Sequence, residues 1–131
     1  MLKLSSKWTS LMIVDEDAVY SSLINDVLVE LGFRRVSRYS TCESAQENLE
    51  KEGQSAMPSR VILLSAIDPN AFSFLVSIMA NEVLSNTRVV VIVEQEDFSI
   101  LPQFFSHGAI AYLTKVSDHK ETRRAVTKLF S

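Results

Sequence analysis

Four short runs of apolar, largely β-branched residues constrain the fold of this chain more than any other sequence feature. They cover residues 11–14, 61–64, 89–93 and 110–113. Apolar residues follow one another in these runs without alternating with polar ones, which is typical of strands buried on both faces, as in a parallel sheet covered by helices. A fifth, weaker run at 33–39 contains three arginines and predicts an edge strand, where charge is tolerated and discourages pairing with other chains.

Helical periodicity fills the segments between these runs. From Tyr20 to Leu31 the apolar side chains recur every three or four positions, which predicts an amphipathic helix with Gly32 at its C-terminal cap. The sequence Ser-Thr-Cys-Glu at 40–43 has the spacing of a capping box and predicts a second helix that runs toward Gly53. The apolar stripe of a third helix is formed by Phe72, Leu75, Val76, Met79 and Val83.

The remaining helices lie between the last two runs and after them. The segment 97–107 predicts a helix that is short or begins late, because Pro102 restricts the residue before it and fits only in a first helical turn. The last helix is predicted to follow an N-cap at Ser117 and to bury Ala125, Val126 and Leu129. Strand and helix thus alternate five times, which predicts one doubly wound α/β domain with its site at the carboxyl ends of the strands.

Composition excludes several classes of function. The 131 residues are 47% hydrophobic and carry a net charge of −3, which fits one folded domain without the basic surface that dominates nucleic-acid affinity. The glycines are isolated at 32, 53 and 108, so the chain has no glycine-rich phosphate-binding loop. No apolar run approaches the ~20 residues of a membrane span, and no signal-peptide core precedes Trp8. We therefore expect a cytoplasmic protein, with Cys42 reduced, that binds neither nucleic acid nor a membrane.

Acidic and polar residues stand where the predicted strands end. They are Asp15, Glu16 and Asp17 after the first strand, Ser65 and Asp68 at and after the third, Glu94 after Val93 of the fourth, and Lys115 after the fifth. The carboxyl ends of parallel strands meet at one edge of the sheet, so these side chains form the candidate site.

These residues and three longer motifs resemble the receiver domains of two-component response regulators. The motifs are Ile-Val-Asp-Glu-Asp at 13–17, Leu-Gly-Phe at 31–33 and Gly-Ala-x-x-Tyr-Leu-Thr-Lys at 108–115, and the resemblance spans residues 11–130. It implies a flavodoxin-like (β/α)5 fold, in which a five-stranded parallel sheet of order 2-1-3-4-5 has helices on both faces. We expect such a domain, with its core at 9–130, to take up all 131 residues given and to leave no room among them for an output domain.

The resemblance implies roles for several residues at the strand ends. Asp15 and Glu16 match the acidic pair that binds Mg²⁺ in the family. Lys115 matches the lysine that contacts the phosphoryl group, and Tyr112 matches the aromatic residue that changes rotamer on activation. Phosphoryl transfer to a carboxylate needs a hard cation held by oxygen ligands and a fixed positive charge. In this chain we expect Lys115 to form an ion pair with Asp15 or Glu16.

Two positions depart from the family pattern. The phosphoaccepting aspartate stands four residues before a proline, and the residue at that distance from Pro69 is Ser65. A serine hydroxyl cannot form an acyl phosphate and is a poor nucleophile without an adjacent base. The hydroxyl residue that couples the phosphoryl group to Tyr112 is replaced by Val93, and Glu94 adds a negative charge beside it. We therefore expect a degenerate pseudo-receiver that requires no cofactor and binds Mg²⁺ weakly at best.

The favoured hypothesis is a regulatory module that is not an enzyme and acts without aspartyl phosphorylation. It would control an output, namely transcription, through homodimerisation or through contacts with a protein partner. The resemblance places the interaction face at helix 4, strand 5 and helix 5, where Leu101 and Phe105 are expected to point outward beside Tyr112. Exposed apolar patches of this kind mark protein contacts.

Two alternatives stay open. In the first, a shifted third strand makes Asp68 the phosphoacceptor, and the protein is phosphorylated with the help of Mg²⁺. In the second, the vacated pocket of a pseudo-receiver binds a small ligand, which nothing in the sequence identifies.

Overall fold

The computed structural model of the protein describes residue 6, residues 8–52 and residues 59–130. Its strands are β1 (Thr9–Val14), β2 (Arg35–Tyr39), β3 (Ser59–Ser65), β4 (Thr87–Val93) and β5 (Ala111–Thr114). All neighbouring strands are parallel, and they form one sheet of order β2-β1-β3-β4-β5. The predicted doubly wound α/β fold and its strand order are therefore confirmed.

The helices are α1 (Ala18–Glu30), α2 (Cys42–Glu52), α3 (Ala71–Ala80), α4 (Leu101–Ser106) and α5 (His119–Leu129). Two 3₁₀ segments, Glu82–Leu84 and Gln95–Ile100, precede β4 and α4. Among the residues that the structure describes, no helix is long and apolar enough to span a bilayer.

Two hydrophobic cores lie on opposite faces of the sheet, because successive side chains of a strand point to opposite faces. On one face, Leu11 and Ile13 of β1 pack with buried residues of α1 and α5. On the other face, Met12 and Val14 pack with buried residues of α2, α3 and α4. Helices thus cover the central strands on both sides, as the continuous apolar runs predict.

The two edge strands differ in how well the sequence predicts them. The edge position that the arginines of β2 predict is confirmed. The prediction of a strand at 110–113 buried on both faces is wrong, because the strand begins at Ala111 while Ile110 and Tyr112 are exposed. β5 is the other edge of the sheet, where a strand has a neighbour on one side only.

The end of α1 follows a recognised capping pattern. Gly32 has a φ of 99°, and its N–H donates to the carbonyl of Val29 at 3.0 Å. The N–H of Phe33 donates to the carbonyl of Leu28 at 3.1 Å, which completes a Schellman motif. The predicted cap at Gly32 is confirmed. Leu31, the last residue of the apolar stripe predicted for α1, is exposed because it is the C-cap residue and lies beyond the last helical turn.

Two helices begin one residue later than their predicted caps. The predicted capping box at 40–43 is wrong, because Thr41 rather than Ser40 accepts from the N–H three residues on, at 3.1 Å. The N-cap of α5 is Asp118 and not Ser117. Side chains that can cap a helix follow one another at both places, so the sequence alone does not select between them. The predicted end of α2 at Gly53 lies outside the described residues.

The predicted stripe of the third helix is largely wrong. The residues that α3 buries are Ala71, Phe74, Leu75 and Ile78. Val76 and Met79 are exposed, and Val83 lies in the 3₁₀ segment that follows, also exposed. Nearly every residue of α3 is apolar, so periodicity does not single out the buried face.

The short fourth helix is confirmed. The 3₁₀ segment Gln95–Ile100 leads into α4, and Pro102 lies in its first turn. The helix ends in the same way as α1, because the N–H of Ala109 donates to the carbonyl of Phe104 at 3.1 Å and Gly108 has a φ of 114°.

Candidate functional site

A cavity of about 370 Å³ opens at the carboxyl ends of β3 and β4. Its apolar lining includes Ile67, Ile92 and Val93. Its polar lining consists of Glu16, Asp17, Ser65, Glu94, Asp97 and Lys115. This is the edge at which doubly wound sheets bind ligands, and most of the residues singled out at the strand ends meet there.

The ammonium group of Lys115 joins two carboxylates. Its Nζ lies 3.3 Å from both oxygens of Asp15 and 3.1 Å from Oδ2 of Asp17. The backbone N–H of Lys115 donates to the carbonyl of Val93 at 2.8 Å, which fixes the residue at the end of β4. The structure therefore contains the predicted ion pair with Asp15, while the second carboxylate is Asp17 and not Glu16.

Asp15 is the buried member of this cluster. Its side chain is 0% exposed, against 16% for Lys115. Asp15 Oδ1 also accepts from the N–H of Asp17 at 2.9 Å, and the N–H of Asp15 donates to the carbonyl of Tyr39 at 3.0 Å. A buried carboxylate is costly unless it is paired and hydrogen-bonded, so Asp15 depends on these contacts.

Asp17 connects the ion pair to α1. Its Oδ1 accepts from the N–H of Tyr20 at 3.0 Å and so caps the helix. That N–H and the ammonium of Lys115 lower the pKa of Asp17. The ring of Tyr20 lies 5.0 Å from the ammonium, in cation–π contact, and burial together with the carboxylates of Asp15 and Asp17 raises the pKa of its phenol.

Ser65 and Val93 stand at the ends of adjacent strands. Ser65 pairs with Ile92 of β4 and is the last residue of β3, so the strand register places it where the sequence predicts. It is 3% exposed and lines the cavity. Val93 is buried at the end of β4, beside Thr114 of β5, and has no hydroxyl to offer a ligand.

The carboxylate of Asp68 accepts hydrogen bonds from the backbone of the surrounding segments. Its Oδ2 accepts from the N–H of Cys42 at 3.1 Å, and its Oδ1 accepts from the N–H of Asn70 at 2.8 Å. It therefore connects the start of α2 to the loop before α3 and is not part of the cavity lining. Burial and the neighbouring Asp68 raise the pKa of the Cys42 thiol to about 12, so this thiol stays protonated and unreactive at neutral pH.

The magnesium site that the receiver resemblance implies does not fit the residues present. Asp15 is already neutralised by Lys115, and Glu16 is exposed. Mg²⁺ prefers several oxygen ligands in octahedral geometry. Across the described ranges, no three His, Cys, Asp or Glu side chains are arranged to hold a metal ion. We therefore derive no chemistry through Mg²⁺ at this site.

Two acidic residues of the site were not assigned a role from the sequence. Asp17 stands three residues before Tyr20, the first apolar residue of the α1 stripe, and this N-cap spacing could have indicated that its side chain turns back toward the strand end. Asp97 lies three residues after Glu94, and its N–H donates to the carbonyl of Glu94 at 2.9 Å. No sequence signal distinguishes this 3₁₀ turn from the start of an α-helix.

An aromatic surface lies beside β5. The ring centroids of Phe98 and Phe105 lie 5.7 and 6.3 Å from that of Tyr112, and the three side chains are 38, 39 and 45% exposed. We call these three residues the aromatic patch. The prediction that Leu101 also points outward is wrong. Leu101 is 7% exposed and packs in the core with Phe104, because the first turn of α4 faces the sheet.

Solved structures share this fold. No family model matches the sequence, and no curated protein is significantly similar to it. A response regulator receiver domain from Rhodospirillum rubrum is 20% identical, with 92% of this chain and 89% of that chain covered and a TM-score of 0.78. The phosphorylated cyanobacterial phytochrome response regulator RcpA is 21% identical, with 92% and 89% covered and a TM-score of 0.77. The chemotaxis protein CheY4 of Vibrio cholerae is 14% identical, with 93% and 98% covered and a TM-score of 0.72. The chain thus has the fold of response regulator receiver domains.

Proposed function

We propose that this protein is a regulatory module of signal transduction that uses the receiver fold without aspartyl phosphorylation and controls an output, such as transcription, through protein contacts. The observation that carries the proposal is the state of the strand-end site. Ser65, which the spacing to Pro69 aligns with the phosphoacceptor of receiver domains, is the last residue of β3, and the Lys115 ammonium is already held by Asp15 and Asp17. A phosphoryl group would find no carboxylate at position 65 to accept it, and the ammonium of Lys115 is already paired.

The first test is incubation of the protein with acetyl phosphate and Mg²⁺, followed by intact-mass measurement. We expect no phosphate-sized increase in mass. The physical reason is that an acyl phosphate forms only when a carboxylate oxygen attacks the phosphorus and acetate leaves, and Ser65 has no such oxygen. A receiver domain with its aspartate intact, treated in parallel, verifies the reagent.

The test must also exclude Asp68 as a phosphoacceptor. Its two oxygens accept from the N–H groups of Cys42 and Asn70, which supports a structural role. The variant Asp68→Asn keeps one acceptor oxygen while removing the carboxylate. A single phosphate-sized increase in the native protein that is absent from Asp68→Asn would contradict the proposal and favour the phosphorylatable alternative.

The partner of this module is a second copy of the chain, bound through the aromatic patch. Phe98, Phe105 and Tyr112 contact one another and leave a large part of each ring in water. Aromatic side chains dominate the energetics of protein interfaces, and a patch of this kind supports association. Nothing in such an association requires a phosphate.

Sedimentation velocity tests this association. We expect the unmodified protein to dimerise and Phe105→Glu to be monomeric, because burying a carboxylate against Phe98 and Tyr112 of the partner costs more than the contact gains. The matched control is Val29→Glu, which places the same charge at an exposed apolar position of α1. A native protein that stays monomeric at every concentration, or a Phe105→Glu variant that dimerises as the native protein does, would contradict this part of the proposal.

A further inference from the structure

The lining of the cavity at the strand ends has more negatively charged than positively charged side chains. Four carboxylates and one ammonium group line it, a net of three negative charges. The ammonium of Lys115 is already engaged by Asp15 and Asp17. Within the described part of the chain, the carboxylates of Glu16, Glu94 and Asp97 form no ion pair. The cavity therefore has an electrostatic preference for cations, the opposite of a phosphate site.

Ser65 brings a hydroxyl without a protein partner to the same cavity. Ser65 is 3% exposed, lines the cavity, and makes no side-chain hydrogen bond to any described residue. A hydroxyl that has no protein partner is satisfied by water or by a ligand. The hydroxyl of Ser65 is thus available to a group that enters the cavity.

The rest of the lining favours an organic cation over a metal ion. Ile67, Ile92 and Val93 give the cavity an apolar surface that a hydrated ion would not use. Its volume of about 370 Å³ lies in the range of small-molecule sites, roughly 300–1,000 Å³. The described residues offer no group of three metal-ligating side chains. These features suit ammonium groups carried on a chain of methylenes.

We propose that this cavity binds a small aliphatic polyamine. Its ammonium groups would pair with Glu94, Asp97 and Glu16, and its methylene chain would pack against Ile92 and Val93. The inference rests on the proposed function, because it supplies the module with an input in place of phosphate.

The test is isothermal titration calorimetry of the full chain with spermidine. We expect saturable binding that weakens with added salt, and about a tenfold loss of affinity in each of Glu94→Gln and Asp97→Asn, because each variant removes one charged hydrogen-bond acceptor for an ammonium group. The matched control is Glu96→Gln, which removes an exposed charge from the same segment but lies outside the cavity lining. Its affinity should equal that of the native protein. Ser65→Ala serves as a further variant if a carboxamide variant does not fold, with an expected loss of several-fold.

Three results would overturn the proposal. One is the absence of a saturable heat change with spermidine, and another is an equal loss of affinity in Glu96→Gln, which would indicate attraction to the acidic surface alone. The third is displacement of spermidine by Mg²⁺ at matched ionic strength with the same sensitivity to Glu94→Gln, which would indicate a general cation site. A failed titration leaves the mass and sedimentation results intact, whereas phosphorylation of Asp68 would refute the proposed function without altering the titration of the unmodified chain.

Discussion

Replacing Lys115 with methionine is expected to lower the free energy of unfolding by about 3 kcal/mol. The substitution keeps most of the aliphatic stem but leaves Asp15, whose side chain is fully buried, without its cation. Asp17 and the ring of Tyr20 lose the same contact. Urea unfolding followed by circular dichroism measures the change.

The double variant Asp15→Asn with Lys115→Met distinguishes the cost of leaving a buried charge unpaired from the cost of altered packing. An asparagine at 15 still offers an oxygen to the N–H of Asp17 and carries no charge, so the double variant should be more stable than Lys115→Met alone. Lys120→Met, at an exposed position of α5, is the control and should change stability by less than about 0.5 kcal/mol. If Lys115→Met were as stable as Lys120→Met, the ion pair would not hold the site together.

Replacing Gly108 with alanine is expected to cost about 2–3 kcal/mol. Two causes act together. The φ of 114° is a conformation that L side chains rarely adopt, and an added Cβ would lie 2.7 Å from Cγ and Sδ of Met79. Thermal unfolding of the variant measures the loss.

A second substitution distinguishes the two causes. Met79 is exposed, so Met79→Ala should cost little by itself while it removes the contact with the new Cβ. We expect Gly108→Ala with Met79→Ala to recover only part of the loss, because the backbone strain remains. Complete recovery would mean that the contact with Met79, and not the backbone conformation, requires glycine at this position.

The sequence predicts the architecture because the architecture depends on features that are local. The apolar runs and the stripe of α1 are set by residues within one element, and each was placed within a few residues of its position. Predictions about which face is buried were less successful. The apolar residues of α3 surround the whole helix, and the exposure of Tyr112 follows from the edge position of β5.

Those contacts of the site that follow from the convergence of the strand ends could be predicted from the sequence. The contact of Lys115 with Asp15 follows from that convergence. The role of Asp17 depends on how α1 begins, and the placement of Asp68 over the start of α2 joins residues 26 positions apart. Such contacts are set by the packing of loops, which neither periodicity nor residue type determines.

The ion pair between Lys115 and Asp15 joins residues 100 positions apart in the chain. One partner follows the first strand and the other follows the last, so the contact forms only when nearly the whole sheet is assembled. Contacts between residues so far apart in the chain form late in folding. The entropy lost on closing the intervening loop must first be offset by other native contacts. An amino-terminal fragment that ends before β5 would keep the carboxylate of Asp15 at its buried position without a cation. The first four strands therefore depend on the last one for their own stability, and we expect the sheet to fold as a single cooperative unit.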